Sequence, residues 1–150
     1  MNMRCAKTVG LLLALGLLVA ACGSDDGDSA DGGEADSEEV RSIEVTADEF
    51  LFDTSVTTFE TGVPYRFVVE NVGEVNHEFM IMEPVSDSTM SMEELDELAV
   101  TMIEADELTP GNTRSVEVTF EQAYPEGTLE FACHQPGHYE GGMRLPIEVE

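Results

Sequence analysis

The sequence is poor in basic residues, cysteine and histidine. Only six of its 150 residues are Lys or Arg, against 32 Asp and Glu, and its one lysine, Lys7, lies close to the N-terminus. So acidic a surface repels nucleic acid and anionic lipid headgroups, and binding to either is not expected. The same surface would steer a partner protein with a basic docking face, whereas adaptation to high salt would give a similar composition. The sequence leaves these two explanations open.

The chain also lacks a hydrophobic run as long as a transmembrane helix normally needs. Its apolar stretch at residues 9–21 follows Arg4 and Lys7 and ends in small residues before Cys22. This order is typical of a secretory signal peptide over residues 1–21. The last five residues up to Cys22 resemble the bacterial lipobox, which implies that this cysteine is lipidated and becomes the mature N-terminus. An ordinary signal peptide without lipidation is the alternative, and either reading predicts an exported protein.

Scarce cysteine excludes a disulfide framework. Of the three cysteines, Cys5 leaves with the signal peptide, Cys22 takes the lipid, and only Cys133 remains in the body of the chain. An exported domain usually pairs its cysteines because its compartment is oxidising. A lone thiol there is either buried and inert or a metal ligand, and the residues around Cys133 favour the ligand.

Composition divides the exported chain into a linker and a domain. Residues 22–42 begin with the predicted lipid site Cys22 and otherwise consist almost entirely of Gly, Ser, Ala, Asp and Glu. Such a segment buries too little apolar surface to offset the entropy of ordering it, so it is predicted to be a disordered acidic linker. Residues 43–150 have the length of a single domain. We expect a monomer anchored to the outer face of the cell membrane through its N-terminal lipid.

Three potential metal ligands lie in one short loop. Cys133, His138 and Met143 follow one another at Cys-x4-His and His-x4-Met spacing, and His77 lies far upstream at the start of an alternating apolar segment. Two imidazoles, one thiolate and a weakly bound thioether are the ligands of a mononuclear blue-copper electron-transfer site. The residues therefore predict one copper ion, cycling between Cu(I) and Cu(II), at these four side chains.

Alternation with a period of two residues predicts several short strands. Gly, Pro and Asn turns separate these strands, which favours an all-β fold, an antiparallel β-sandwich. The proposed ligands continue the inward faces of their strands at the strand ends. The predicted inward positions are Ile43, Val45, Ala47, Tyr65, Phe67, Val69, Phe79, Ile81, Val116, Val118, Phe120, Leu129, Phe131, Leu145, Ile147 and Val149.

One segment has the signature of a short helix inserted between strands. Ser91 and Glu94 form a capping box, with Ser91 as N-cap and Glu94 at the third helical position. Apolar residues then recur at helical spacing, which predicts a helix from about Met92 to Glu104 packed on the side of the sandwich. The apolar positions of that pattern are Leu95, Leu98, Ala99, Met102 and Ile103.

The segment 76–79 and the loop from Cys133 to Met143 make residues 43–150 resemble the cupredoxin family. The loop, with Pro-Gly before its histidine, is most similar in spacing to that of rusticyanin and auracyanin. The resemblance implies an eight-stranded Greek-key sandwich that holds copper near one end through His77, Cys133 and His138, and more weakly through Met143. It also implies one-electron transfer with no substrate chemistry, so the protein is not expected to be an enzyme.

Two residues complicate this resemblance. Many cupredoxins have Asn or Ser after the first histidine, where the side chain ties that strand to the cysteine loop, but here the residue is Glu78. His134 directly follows Cys133, as in multicopper oxidases, yet three histidines in all are too few for further copper centres. Strand alternation directs His134 away from the Cys133 face, and we expect a solvent-facing loop residue.

The methionines leave a second function open. Met80, Met82, Met90 and Met92 either pack the predicted helix onto the sheet or bind Cu(I) through their thioethers. The complete ligand set favours an electron carrier between redox partners, such as a cytochrome or an oxidase, at the outer face of the cytoplasmic membrane. Bound Cu(I) would favour copper tolerance, storage or delivery. A nitrite reductase domain is a third possibility, which the missing histidines of a second metal disfavour.

Overall fold

The computed structural model describes residues 39–85 and 89–150 of the chain. The predicted signal peptide, the lipidation site Cys22 and the linker up to residue 38 lie outside these residues and stay predictions. No helix of the described residues combines the length and the hydropathy that a membrane span needs. The elements, in chain order, are β1 (Arg41–Asp48), β2 (Leu51–Asp53), β3 (Thr58–Phe59), β4 (Pro64–Asn71), β5 (Phe79–Met82), α1 (Met92–Asp96), β6 (Thr101–Ile103), β7 (Thr113–Thr119), β8 (Tyr124–Ala132) and β9 (Arg144–Val149).

The strands form two sheets. One has the order β2-β1-β4-β7 and the other the order β3-β9-β8-β5-β6. Most neighbouring strands are antiparallel, while β1 with β4 and β3 with β9 are parallel. The predicted all-β sandwich is confirmed, with two mixed sheets in place of purely antiparallel ones. Strand β1 begins at Arg41, two residues before the predicted start of the domain.

Aromatic rings from both sheets meet in the core. The ring of Phe67 on β4 lies 5.5 Å from that of Phe131 on β8 and 5.9 Å from that of Phe79 on β5. All three side chains are fully buried. Most predicted inward positions are buried as expected, whereas Val116, Val118 and Leu145 are only half-buried. Val116 and Val118 lie on β7, which is the last strand of its sheet, and an edge strand is covered less completely than a central one.

The predicted helix is right in its start and wrong in its end. Ser91 is the N-cap, and its reciprocal hydrogen bonds with Glu94 form the predicted capping box. However, α1 ends at Asp96, and residues 101–103 form strand β6, which pairs with β5. The edge of β5 needs hydrogen-bond partners, and the β-branched Thr101 and Ile103 suit a strand better than a helix. Helical spacing of the apolar residues beyond Asp96 was therefore coincidental.

The outward face of β5 is covered, and the methionines there form a second small core. Met80 and Met82 are fully buried and pack with Leu95 of α1 and Ala132 of β8. The packing interpretation therefore accounts for Met80 and Met82. Met90 and Met92 lie at the margin of this cluster and are only half-buried.

Candidate metal centre

The four predicted ligands lie at one end of the five-stranded sheet. Cys133 directly follows β8, Met143 directly precedes β9, and His77 lies just before β5. These three strands are neighbours in the order β9-β8-β5 and run antiparallel. The end of β8 and the beginnings of β5 and β9 therefore meet at the same edge. His138 comes from the loop that joins β8 to β9.

Three of the four side chains converge on one point. Nδ1 of His138 lies 3.3 Å from Nδ1 of His77 and 3.3 Å from Sγ of Cys133. The three donor atoms all lie within 4.8 Å of one another. Donors that share one metal ion at about 2.0–2.3 Å lie roughly 3–4 Å apart, so these distances suit a single ion. His77 and Cys133 are fully buried, and His138 is half-buried at the surface.

Met143 is tied to the same loop through its backbone. Its carbonyl accepts a hydrogen bond from the Cys133 N–H at 3.1 Å, and its own N–H donates to the His138 carbonyl at 3.0 Å. The side chain of Met143 is fully buried in the main core. These bonds hold Met143 beside the three converging donors, and its role as the weak fourth ligand stays a prediction.

Burial controls the protonation of the donors. It raises the pKa of the Cys133 thiol to about 11. Burial also lowers the pKa values of His77 and His138, and at His77 the neighbouring His138 lowers the value further. Both imidazoles are therefore neutral near pH 7, with lone pairs free to bind a metal, whereas the thiol must lose its proton on binding. Two neutral imidazoles and one soft sulfur are donors that copper prefers, and the thioether of Met143 is predicted to complete the set.

Glu78 connects the His77 segment to the cysteine loop, at the position where many cupredoxins have Asn or Ser. Its Oε1 accepts a hydrogen bond from the backbone N–H of His134 at 2.6 Å, and its Oε2 accepts one from Nε2 of Gln135 at 3.0 Å. The backbone N–H of Glu78 itself points at Sγ of Cys133, 3.5 Å away. Glu78 is 1% exposed, and this burial raises the pKa of its carboxyl. A glutamate can therefore link the His77 segment to the cysteine loop.

The prediction for His134 is partly wrong. The side chain does turn away from the Cys133 face, but it does not face solvent. It is half-buried and stacks on the ring of Tyr139, with centroids 4.3 Å apart and planes inclined by 15°. Its Nε2 is buried with no hydrogen-bond partner among the described residues. The reason is that α1 and the segment before it cover this face of the ligand loop, which strand alternation alone does not show.

The sequence reasoning missed two residues of the turn between β1 and β2. Oε1 of Glu49 lies 3.6 Å from Nε2 of His77, the ring nitrogen that faces away from His138. The ring of Phe50 lies 4.8 Å from that of His138. Residues of one turn thus lie beside both imidazoles. No motif marks these residues, because they lie far from the ligands in sequence and reach them only through the pairing of β1 with β4.

Glu49 is fixed by the loop between β4 and β5. Its Oε1 accepts hydrogen bonds from the backbone N–H groups of Glu74 at 2.7 Å and Val75 at 3.0 Å. These bonds, that from Glu74 foremost, lower the pKa of Glu49 to about 2. A Cβ at Gly73 would lie 2.5 Å from Oε1, so a side chain there would displace the carboxylate from this position. A charged carboxylate is therefore held behind His77 at neutral pH.

Two curated proteins are similar to this chain in sequence. The copper-resistant cuproprotein CopI of Rubrivivax gelatinosus is 32% identical over 104 residues, which cover 66% of this chain and 59% of that protein. The copper-resistant cuproprotein CopI of Vibrio cholerae is 31% identical over 94 residues, covering 61% of this chain and 54% of that protein. The chain thus spans somewhat more than half the length of these relatives. No protein-family model matches the sequence.

Solved structures of blue copper proteins share the fold. Auracyanin A from Chloroflexus aurantiacus superposes with a TM-score of 0.58 at 19% identity, over 75% of this chain and all of that one. Reduced auracyanin from Roseiflexus castenholzii superposes with a TM-score of 0.57 at 22% identity, over 73% of this chain and 96% of that one. For reduced rusticyanin the TM-score is 0.51 at 17% identity, over 75% of this chain and 81% of that one.

The solved structures have the fold that the resemblance of the ligand loop implies. The nine strands described here exceed the eight that the resemblance implies, and three of them, β2, β3 and β6, have only two or three residues. This chain is therefore a protein of cupredoxin fold, and copper is the cofactor that its His-Cys-His group fits.

Proposed function

We propose that this protein is a mononuclear type 1 copper protein that transfers single electrons between partner proteins outside the cytoplasmic membrane. The observation that carries this proposal is the convergence of His77, Cys133 and His138 at one buried point. Bound copper supplies a one-electron couple there, and the protein is a carrier with no substrate of its own.

The fold gives the donors the rigidity that rapid electron transfer needs. Backbone hydrogen bonds join Cys133 to Met143 and Met143 to His138, so the loop closes on itself. Glu78 fastens this loop to the segment that carries His77. Donors fixed in this way move little when the oxidation state changes, which keeps the reorganisation small.

The surface around His138 supports docking of a partner. His138 is half-buried, so it is the donor nearest to solvent. Four of the seven large hydrophobic residues exposed in the described part of the chain lie at this end: Phe50 in the turn between β1 and β2, Leu51 at the start of β2, and Val72 and Val75 in the loop between β4 and β5. A partner that covers these side chains would come close to His138. We propose a redox protein with a basic rim around an apolar centre, since the chain is strongly acidic.

The N-terminal sequence supports a location outside the cytoplasm. The charged, apolar and small-residue segments before Cys22 have the order of a secretory signal, and the last of them resembles a lipobox. We propose a lipid anchor at Cys22, with the linker that follows as a tether.

Copper tolerance is the second candidate function. The two relatives reported above are named copper-resistant cuproproteins, which favours a role in copper handling. The matched segments cover 59% and 54% of their lengths, so some of their function can belong to the parts outside the match. In this alternative the site holds copper, and its redox cycling is incidental.

A copper titration of the full-length chain tests the leading proposal. One equivalent of Cu(II) should give an intense thiolate-to-copper absorption band that bleaches on reduction and returns on reoxidation. The matched control is Cys133→Ser, which keeps Cys5 and Cys22 and should lose the band while remaining folded. Retention of the band in this variant would refute the ligand assignment. A colourless wild-type protein that still binds copper would favour the copper-handling alternative.

A further inference from the structure

A cavity of about 470 Å³ lies between the ligand loop and the segment that contains α1. It is separate from the point where His77, Cys133 and His138 converge, and neither proposed function uses it. Three of its lining residues carry donors for a soft metal, namely Met90, Met92 and His134.

His134 has a buried nitrogen that needs a partner. Its Nε2 has no hydrogen-bond partner within the described ranges, although the atom is shielded from solvent. Burying a polar atom unpaired costs free energy, so native proteins rarely leave one without a ligand, a water or an ion. The orientation of the ring is also fixed, because it stacks on Tyr139 and the His134 backbone is bound to Glu78.

Met90 and Met92 differ from the other methionines of this region. Met80 and Met82 are fully buried between α1 and the sheet, where packing explains them. Met90 and Met92 are half-buried, flank the N-cap Ser91, and face the cavity. The capping box of Ser91 with Glu94 holds the backbone of this turn. Met90 and Met92 therefore line the same cavity as His134.

We propose that this cavity is a second metal site, which binds one Cu(I) ion through Met90, Met92 and His134. Thioether and imidazole donors select a soft ion such as Cu(I) over hard divalent cations, which prefer oxygen ligands. Arg144 and Glu140 also line the cavity, and their opposite charges offset one another near a singly charged ion. The proposal does not depend on electron transfer, and it adds a site to either candidate function.

The test counts Cu(I) bound by the full-length chain under anaerobic conditions, in competition with a chromophoric Cu(I) chelator. Met90→Leu/Met92→Leu should bind one equivalent fewer than the wild type, and its type 1 absorption band should be unchanged. His134→Phe, which keeps a ring to stack on Tyr139, should lose the same equivalent. The matched control is Met80→Leu/Met82→Leu, which exchanges two methionines that do not line the cavity and should keep it. Equal stoichiometry in the wild type and the Met90/Met92 variant would overturn the proposal.

A second measurement needs no cavity variant. In protein labelled with ¹³C at the methionine methyl groups, Cu(I) should shift two signals, those of Met90 and Met92, in a Cys133→Ser background that lacks the type 1 thiolate. Unmoved signals in that background would overturn the second site, whatever the fate of the first. Shifted signals in a wild-type protein without the type 1 band would refute electron transfer and leave the second site standing.

Discussion

At the scale of single residues, the most informative contact is the carboxylate behind His77. Metal-binding histidines usually donate their second ring N–H to a carboxylate or a carbonyl, which fixes the ring and raises its basicity. Here Oε1 of Glu49 lies 3.6 Å from Nε2 of His77, which is longer than a hydrogen bond but close enough for electrostatic attraction. We therefore expect Glu49 to act on a bound copper ion through His77, as a positioning residue.

Glu49→Gln tests this role. Glutamine keeps an oxygen for the backbone N–H groups of Glu74 and Val75 but removes the negative charge. Because that charge favours Cu(II) over Cu(I), its loss should raise the reduction potential, by about 59 mV if the Cu(II)/Cu(I) preference changes tenfold. Protein-film voltammetry measures the potential. The control is Asp53→Asn, an acid-to-amide change on β2, and an equal shift in both variants would contradict a specific role for Glu49.

The buried thiol predicts a pH dependence of metal binding. Burial raises the pKa of Cys133 to about 11, so the metal-free thiol is protonated at neutral pH and loses one proton on binding. The apparent Cu(I) affinity of this site should therefore increase about tenfold per pH unit between roughly pH 7 and 9, and fall as the pH falls. Chelator competition at several pH values, corrected for the chelator's own protonation, measures the slope. A flat profile would contradict binding through Cys133.

At the scale of elements, α1 illustrates competition between helix and strand. The capping box starts the helix as the sequence predicts, but the partner requirement of β5 converts residues 101–103 into a strand. The result is a helix of five residues with a single buried side chain, Leu95. Its stability must therefore come mainly from packing on Met80, Met82 and Ala132, since so short a helix is unstable alone.

Leu95→Ala should accordingly lower the free energy of unfolding by about 2–3 kcal/mol, near the lower end of the range for buried leucines because the cluster is small. Leu98→Ala is the matched control, because Leu98 is 52% exposed and should cost less than about 0.5 kcal/mol. Urea denaturation of the copper-free protein measures the free energy of unfolding of both variants. Equal losses in the two variants would show that α1 does not pack as described.

At the scale of the whole molecule, the acidic surface dominates. The chain has a formal net charge of −26, and the described ion pairs between basic and acidic side chains include Arg41 with Glu60 and Arg66 with Glu117. Both pairs are exposed and contribute little to stability. Such an excess of one sign repels itself in the compact state.

Added salt should therefore stabilise the fold. Between about 0.01 M and 1 M NaCl the Debye length falls from about 30 Å to about 3 Å, which screens repulsion across the surface. The urea midpoint of the full-length protein should rise over this range, with sucrose at equal osmolarity as the control for solute exclusion. An unchanged midpoint would contradict self-repulsion and favour the view that the charges serve docking alone.

How much of the metal centre can be predicted from the sequence depends on how far apart its residues lie along the chain. The Cys-x4-His-x4-Met loop is local, so its spacing alone indicates that Cys133 and His138 approach one metal ion. The position of His77 was inferred from strand alternation, and the fold brings it to the other two. The weak coordination by Met143 stays a prediction, because its backbone bonds place it near the site without showing how its sulfur binds.

The sequence by itself determined the class of fold, the approach of Cys133 and His138 within one loop and the start of α1, since each depends on periodicity or spacing within a short segment. Only the tertiary structure decided that Glu78 ties the loop, that Glu49 and Phe50 back the imidazoles, and that residues 101–103 become a strand. It also decided that His134 faces a cavity with Met90 and Met92. These contacts join segments far apart in the chain, and their geometry depends on how the sheets pair and pack, which no local pattern encodes.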